Sequence, residues 1–163
     1  VIPDFETVRL RVRDRSAGPS ADRLRADLTA LLVPEVLAPL PPGLAFQDGD
    51  SPAAWLDALE RQAMVKLVVS QAGAVVGLLI LADPDGDGRA AHLGYLFRPD
   101  VWGRGLATEL IEGLIIAARG YTGLVTLYAG VAPGNPGSSR VLEKAGFARI
   151  GEDGETLSYR LDL

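Results

Sequence analysis

Cysteine is absent from the 163 residues, histidine occurs once, at His92, and methionine once, at Met64. Without cysteine there is no disulfide framework, no thiolate metal site and no thiol nucleophile. A zinc site built on one histidine would need carboxylates almost alone, against the metal's preference for nitrogen and sulfur. Lysine is scarce too, with fourteen arginines to two lysines, which reads as a codon-composition bias. Net charge is −5 and aromatics are 6% of the chain. No basic stripe is interleaved with aromatics, which argues against a nucleic-acid surface. Long apolar runs are also missing. The longest, Val75–Ala82, is too short to span a bilayer, so no membrane role is expected. Asp4, Glu6 and Arg9 stand where a signal peptide would carry its apolar stretch. Val1 stands where a translated chain carries Met, which reads as a trimmed start, and a cytoplasmic location is the default expectation.

What is present is ordinary for a globular domain: 48% hydrophobic and 23% charged residues. The run ETVRLRVRD alternates, with Val8, Leu10 and Val12 on one side and Arg9, Arg11 and Arg13 on the other, the pattern of a half-buried strand. Ser20–Leu32 and Ser51–Gln62 read as helices, each opening on a serine that can cap it. Between them PEVLAPLPPGLAFQDGD reads as a loop broken by proline and glycine. MVKLVVS and AVVGLLILA read as a hairpin around QAGA, and AAHLGYLF as the next strand. A helix follows over about residues 105–119, with Leu106, Leu110, Ile111, Leu114 and Ile115 on one face and Glu109 and Glu112 opposite. LVTLYAGV is a strand, Asn135-Pro136 opens a helix that Gly146 ends, and FARIG and ETLSYRLDL close the chain as antiparallel strands. The expected class is α+β: a mixed, largely antiparallel central sheet with one parallel βαβ unit and helices on both faces. A single domain over residues 1–163 is expected. Residues 1–82 would supply the first strand, two helices and the hairpin, residues 90–147 the βαβ core, and residues 148–163 the last strands.

The helix at Gly105 has no Ser, Thr, Asn or Asp positioned to cap it, while Gly103 and Gly105 flank the cationic Arg104. Free helix N–H groups, bare backbone and a mobile cation together suit a phosphate-bearing ligand. A tight turn whose helix end is capped by water accounts for the same residues. No GxxxxGK[ST] run exists, which removes a P-loop. Thr108 stands at the third glycine of a dinucleotide fingerprint and no acid lies between Glu112 and Glu143, which removes a ribose-binding carboxylate. Asp83-Pro84-Asp85-Gly86-Asp87-Gly88 opens like a calcium loop, but its twelfth position is Gly94, so a polar turn between strands is expected.

The run GYLFRPDVWGRGLATELI (Gly94–Ile111), followed by NPGSSRVLEKAGF (Asn135–Phe147), resembles the GNAT family of N-acetyltransferases. The branch it is most similar to is that of ribosomal-protein N-terminal alanine acetyltransferases (RimJ/RimL-like). The resemblance implies an acyl-CoA-dependent N-acyltransferase with acetyl-CoA or another short acyl-CoA as co-substrate and no metal. It places the pyrophosphate on the amides of Gly103, Arg104, Gly105, Leu106 and Ala107, with Thr108 adding a hydroxyl and Trp102 and Arg140 counted in the same site. It runs the pantetheine arm along the backbone of Leu96 and Phe97, and gives Asn135 a hydrogen bond to that arm. Asn135 is equally a good N-cap before Pro136. Leu142 stands where many relatives carry a tyrosine that settles the leaving thiolate, so Ser138 becomes the catalytic candidate, although a serine there also suits any helix start. His92 occupies a position where relatives often carry Glu, and imidazole as a side-chain type titrates near neutrality, which makes it the candidate base. As a lone strand histidine it is equally a surface residue, and Glu143 is a weaker candidate. The implied acceptor is a primary amine: a protein N-terminus, a polyamine or an aminated small molecule. A homodimer is as compatible with these residues as a monomer. Two other functions fit: an acyl-CoA-binding or partner-binding module that kept the fold and lost catalysis, and a regulatory domain for another phosphate ester.

Overall fold

The structure is a computed structural model, and residues 2–40, 44–47, 49–121 and 123–163 are described here. Among the described residues eight strands form one sheet: β1 (Phe5–Glu6), β2 (Leu10–Arg13), β3 (Met64–Ser70), β4 (Val75–Ala82), β5 (Ala90–Phe97), β6 (Thr126–Val131), β7 (Ala148–Asp153) and β8 (Thr156–Asp162). Their spatial order is β1-β2-β3-β4-β5-β6-β8-β7, and β5–β6 is the parallel pair in an otherwise antiparallel sheet. The helices are α1 (Ala21–Leu31), α2 (Pro34–Leu37), α3 (Pro52–Glu60), α4 (Leu106–Arg119) and α5 (Pro136–Lys144). The mixed sheet and its parallel crossover through α4 are as the sequence pattern implies. The small helix α2 is not: it lies inside the stretch read as loop. Pro34 at its first position suits a helix start, and Val36 is buried.

Strand alternation divides the core between the two faces of the sheet. Leu110, Ile111, Leu114 and Ile115 of α4 and Leu142 of α5 pack with Leu93, Phe97, Leu127 and Ala129 on one face. Leu24, Leu28 and Leu31 of α1 and Leu56 and Leu59 of α3 pack with Val65, Leu78, Ile80 and Leu96 on the other. The serine caps form as their positions imply: Ser20 accepts from the Arg23 N–H and Ser51 from the Ala54 N–H, both at 3.3 Å. The acidic turn after β4 is an Asx-type turn in which the Asp83 carboxylate accepts from the N–H groups of Gly86 and Gly88. Among the described residues no helix is long and apolar enough to cross a membrane.

The first strand departs from the expectation. ETVRLRVRD is not one strand; the chain turns at residues 7–9, with the Thr7 N–H donating to the Leu10 carbonyl, and resumes as β2. Val8, expected inside, is 86% exposed at the tip of this turn. Alternation in the sequence was satisfied locally, but Thr7 and Arg9 are drawn instead to a partner on α4.

A second N-terminal tie is the buried lysine of β3. Lys66 is 1% exposed and its ammonium donates to Asp4 at 2.8 Å and Asp14 at 2.7 Å. The hydrogen bond from Lys66 holds the Asp4 carboxyl below its ordinary value, with partial burial opposing. A carboxyl depressed on folding contributes stability above its unfolded pKa and loses it as pH falls through the lowered folded value. The wild-type chain should therefore lose urea stability as pH drops below about 4, and Asp4→Ala should flatten that dependence. Removing both carboxylates strands a buried cation, so Asp4→Ala/Asp14→Ala should cost about 3 kcal/mol, whereas Lys66→Met should stay within about 1 kcal/mol of wild type. Equal losses in the two variants would show that the ammonium is not the buried charge at stake.

Candidate active site

The site begins where β5 and β6 part. Their parallel register runs only from Ala90–Thr126 to Leu93–Ala129. On the outer sides pairing continues, β4 staying on β5 as far as Phe97 and β8 on β6 as far as Val131. The inner backbone of residues 94–97 is thus left without a strand partner across the gap. Unpaired strand backbone invites an extended ligand that carries amides of its own. At the end of this row the Trp102 indole donates to the Phe97 carbonyl at 2.8 Å, while its ring stays half exposed.

Beyond Phe97 the chain makes a short 3-10 turn at Pro99–Val101 and enters the glycine loop. Arg98 forks onto Asp100 with bonds of 3.1 and 2.9 Å. Gly103 and Gly105 adopt φ of 75° and 77°, the left-handed region that a Cβ penalises. Gly105 is the N-cap of α4 and no side chain caps the helix. The N–H groups of the first turn therefore point into the loop with the positive end of the helix dipole behind them, an anion site in form.

The loop is held from an unexpected quarter. Glu109, read as lying on the solvent side of α4, has its carboxylate filled by the β1–β2 turn. Thr7 Oγ1 donates to it at 2.6 Å, the Arg9 N–H at 2.7 Å and Arg9 Nε at 2.7 Å. Burial alone would raise this carboxyl; the bonds from Thr7 and Arg9 outweigh it and hold it below the usual carboxylate range. Arg9 also donates to the Arg104 carbonyl at 2.9 Å, which fixes the middle of the glycine loop. Its other terminal nitrogen lies 3.7 Å from where a Cβ of Gly105 would stand. Close approach is possible because α4 carries Gly113, where a Cβ would come within 2.6 Å of the Thr7 methyl. Neither Arg9 nor Glu109 was singled out from sequence; a glycine in mid-helix was the one available signal.

On the β6 side, α5 starts as the sequence implies. Asn135 caps it, accepting from the Ser138 N–H at 3.3 Å, and its Nδ2 donates to Ser138 Oγ at 3.0 Å. Asn135 and Ser138 are thus one unit, and Tyr95 of β5, on the same face of the sheet as α5, has a buried hydroxyl with no hydrogen-bond partner. Arg104 and Arg140 are exposed, Thr108 is half-buried in the first turn of α4, and Leu96 and Phe97 are buried. His92 lies within the paired part of β5, opposite Tyr128 in register, and stacks on that ring at 5.3 Å. Alternation puts it on the α1/α3 face with Leu96, across the sheet from Ser138 and Tyr95. Glu143 accepts from the buried Tyr159 hydroxyl at 3.1 Å, on the α5 side, and is not brought to the gap.

Two uncapped donor arrays, one from a glycine-opened helix and one from a parted strand, flank one gap. Such an arrangement can take an anionic group at the helix start and an extended chain with amides of its own along the strand edge. Residues 25–148 match the acetyltransferase (GNAT) domain family, and the chain belongs to that family of acyl-CoA-dependent N-acyltransferases. A GNAT-family acetyltransferase from Bacillus anthracis superposes with a TM-score of 0.76 at 20% identity, covering 98% of each chain. The ribosomal-protein-S5-alanine acetyltransferase from Vibrio fischeri gives 0.73 at 19% identity, covering 98% of this chain and 96% of that one. A spermidine N-acetyltransferase from Vibrio cholerae, solved with CoA and spermine, gives 0.72 at 17%, covering 94% and 95%. At such identities the likeness is one of fold. A sequence comparison with curated proteins finds no match.

The clamp can be tested without any ligand. Glu109→Ala leaves three donors without their acceptor and should lower stability by about 1–3 kcal/mol in urea denaturation. Gly105→Ala, which meets no crowding but must hold a positive φ, should cost about 1–2 kcal/mol. A Glu109→Ala chain as stable as wild type would mean that the turn at residues 7–9 is held by something else.

Proposed function

We propose that this chain transfers an acetyl or other short acyl group from acyl-CoA to a primary amine by direct attack, with a protein N-terminal α-amine as the preferred acceptor. The observation that carries it is the parting of β5 from β6 beside the uncapped start of α4. In this reading Gly103, Arg104, Gly105, Leu106, Ala107 and Thr108 receive the pyrophosphate, with Trp102 and Arg140 at its margin. The backbone of Leu96 and Phe97 pairs with the pantetheine arm, and a free N–H on that row would hold the carbonyl oxygen as it gains charge. Asn135 serves both the arm and Ser138, and Ser138 faces the leaving sulfur.

An α-amine is favoured over lysine-like amines because more of it is neutral near pH 7, its pKa being about 8 against about 10.4. That matters where the base is a single exposed histidine. The guanidinium of Arg160 lies 5.8 Å from the Tyr128 ring on which His92 stacks and is paired with Asp162 at 2.9 Å. His92 is the proposed proton acceptor on that face. The second reading, an acyl-CoA-binding module without turnover, keeps the same CoA contacts and differs only in the fate of the thioester.

Thiol release from acetyl-CoA should rise when alanine- or serine-initiated peptides are added, and rise less with spermidine or an aminated sugar. Ser138→Ala should lower kcat by about tenfold to a hundredfold, at the low end of what a proton-transfer group contributes. Arg9→Ala should raise the KM for acetyl-CoA severalfold with kcat little changed, the mark of uniform binding. Unchanged turnover in both Ser138→Ala and His92→Ala would remove these two assignments. Tight CoA binding with no thiol released by any amine would favour the binding module, and equal affinity for CoA and ADP would sink both readings.

A further inference from the structure

Glycine in the middle of a strand weakens it, having no side chain to pack, and often marks a place where something approaches the backbone closely. In β4 that something is the protein itself: a Cβ on Gly77 would collide with the Leu96 carbonyl oxygen. Gly94 of β5 and Gly130 of β6 have no such reason. Neither adopts a positive φ. A Cβ on Gly94 would make ordinary contact, 3.7 Å from Ile80 Cβ. One on Gly130 would lie 3.1 Å from the Thr156 methyl, and a small shift of that exposed side chain would relieve it.

The register shows where these two glycines stand. The last parallel pairs are His92 with Tyr128 and Leu93 with Ala129, so Gly94 and Gly130 are the first residues beyond the ladder. Alternation puts both on the α1/α3 face, in line with His92 and Tyr128 and roughly 7 Å further along. On its outer side Gly94 is in register with Ile80, which packs with α1 and α3, and Leu96, the next residue of β5 on this face, is buried among the same helices. The bare rung therefore lies between the stacked His92–Tyr128 pair and a buried leucine, with Gly94 half-buried and Gly130 exposed. Backbone alone floors it, on the face that carries His92.

We propose that Gly94 and Gly130 are specificity-determining residues for the acceptor: the room left by their missing side chains admits an amine borne on a branched carbon. The proposal rests on the acyl-transfer reading above and deepens it. An N-terminal α-amine sits on a carbon that also carries a side chain and a carbonyl, whereas the amine of lysine or a polyamine ends an unbranched methylene chain. To attack, the nitrogen must come close to the thioester carbon, and its substituents then lie against whatever lines the approach. The N–C bond forms, the C–S bond breaks with its electron pair on sulfur, and the proton shed by the ammonium balances the one that neutralises the thiolate. With two glycines lining this face, the branch meets no methyl group. A slender methylene end would pass an alanine at either position; a branched carbon would not.

Two peptides that differ only in their first residue, alanine or glycine, offer the same kind of α-amine with and without the branch. Thiol release is followed for wild type, Gly94→Ala and Gly130→Ala, together with the KM for acetyl-CoA and the urea midpoint. Wild type should use the alanyl peptide at least as well as the glycyl one. Gly94→Ala should lower the alanyl-to-glycyl ratio of kcat/KM by about tenfold, the low end of what one methyl group in a pocket discriminates. Gly130→Ala should lower it in the same direction. The KM for acetyl-CoA should stay within about twofold of wild type, no binding contact to the donor being lost. The urea midpoint of Gly94→Ala should be no lower than wild type, since the backbone there suits alanine. A ratio unchanged in both variants overturns the proposal. So does a raised KM for acetyl-CoA at an unchanged ratio, which would assign the glycines to the thioester, or a lowered urea midpoint in Gly94→Ala, which would make that glycine a demand of the fold. Wild type that acetylates spermidine but neither peptide overturns it while leaving acyl transfer standing. Thiol released with no amine at all would overturn the acyl-transfer reading itself, and this proposal with it.

Discussion

Parallel strands joined by a helix ordinarily stay paired along their length, because each backbone group released from the ladder must find another partner. Here β5 and β6 pair over four residues and then separate, although each keeps its outer neighbour for several residues more. Everything at the site depends on that unequal pairing. It leaves a strand edge facing inward, in the middle of an eight-stranded sheet, where an edge is protected from other chains. It also sets α4 and α5 on one side of the opening, so that both begin at its rim. Connection through α4 brings the glycine loop to the carboxyl end of β5, the position from which open α/β sheets commonly bind ligands.

An anion site at a helix start has an internal difficulty in this chain. Glu109 lies in the first turn of α4, where a free carboxylate would offset the positive end of the dipole and repel a phosphate. Arg9 resolves it. By pairing with Glu109 and also bonding the Arg104 carbonyl, it cancels the charge and stiffens the loop with one side chain. Its second terminal nitrogen is left beside Gly105. The N-terminal turn is thus part of the site's electrostatics, although it belongs to the far edge of the sheet in strand order. Gly113, unfavourable in a helix interior, is the concession that lets this turn come close enough.

What could be read from sequence was what is local. Ser20, Ser51 and Asn135 cap their helices because capping needs only a side chain and the N–H groups three residues on. The two glycines before α4 announced an uncapped start for the same reason. The turn at residues 7–9 could not be read, since its cause, Glu109, lies 100 residues away from Arg9 while the local alternation fits a strand. Lys66 was hidden likewise: in MVKLVVS it looks like a polar interruption, and only Asp4 and Asp14 explain its burial. Tyr95 has the commonest disguise, an aromatic in a strand, and only its unpartnered oxygen sets it apart.

The division of the site by the sheet bears on the proposed chemistry. Alternation along β5 puts His92 on the face of α1 and α3 and Tyr95 on the face of α4 and α5. On the proposed reading, the group that takes a proton from the amine and the group that settles the thiolate therefore approach the thioester from opposite faces. They can serve one carbon only if that carbon lies in the gap itself, where β5 and β6 have ceased to pair. Such an arrangement suits a nucleophile arriving from one side while the sulfur departs toward the other. It leaves no need for a side chain to carry the acyl group between them, and Ser138, held by Asn135 with its oxygen already accepting a hydrogen bond, is poorly placed to act as that carrier.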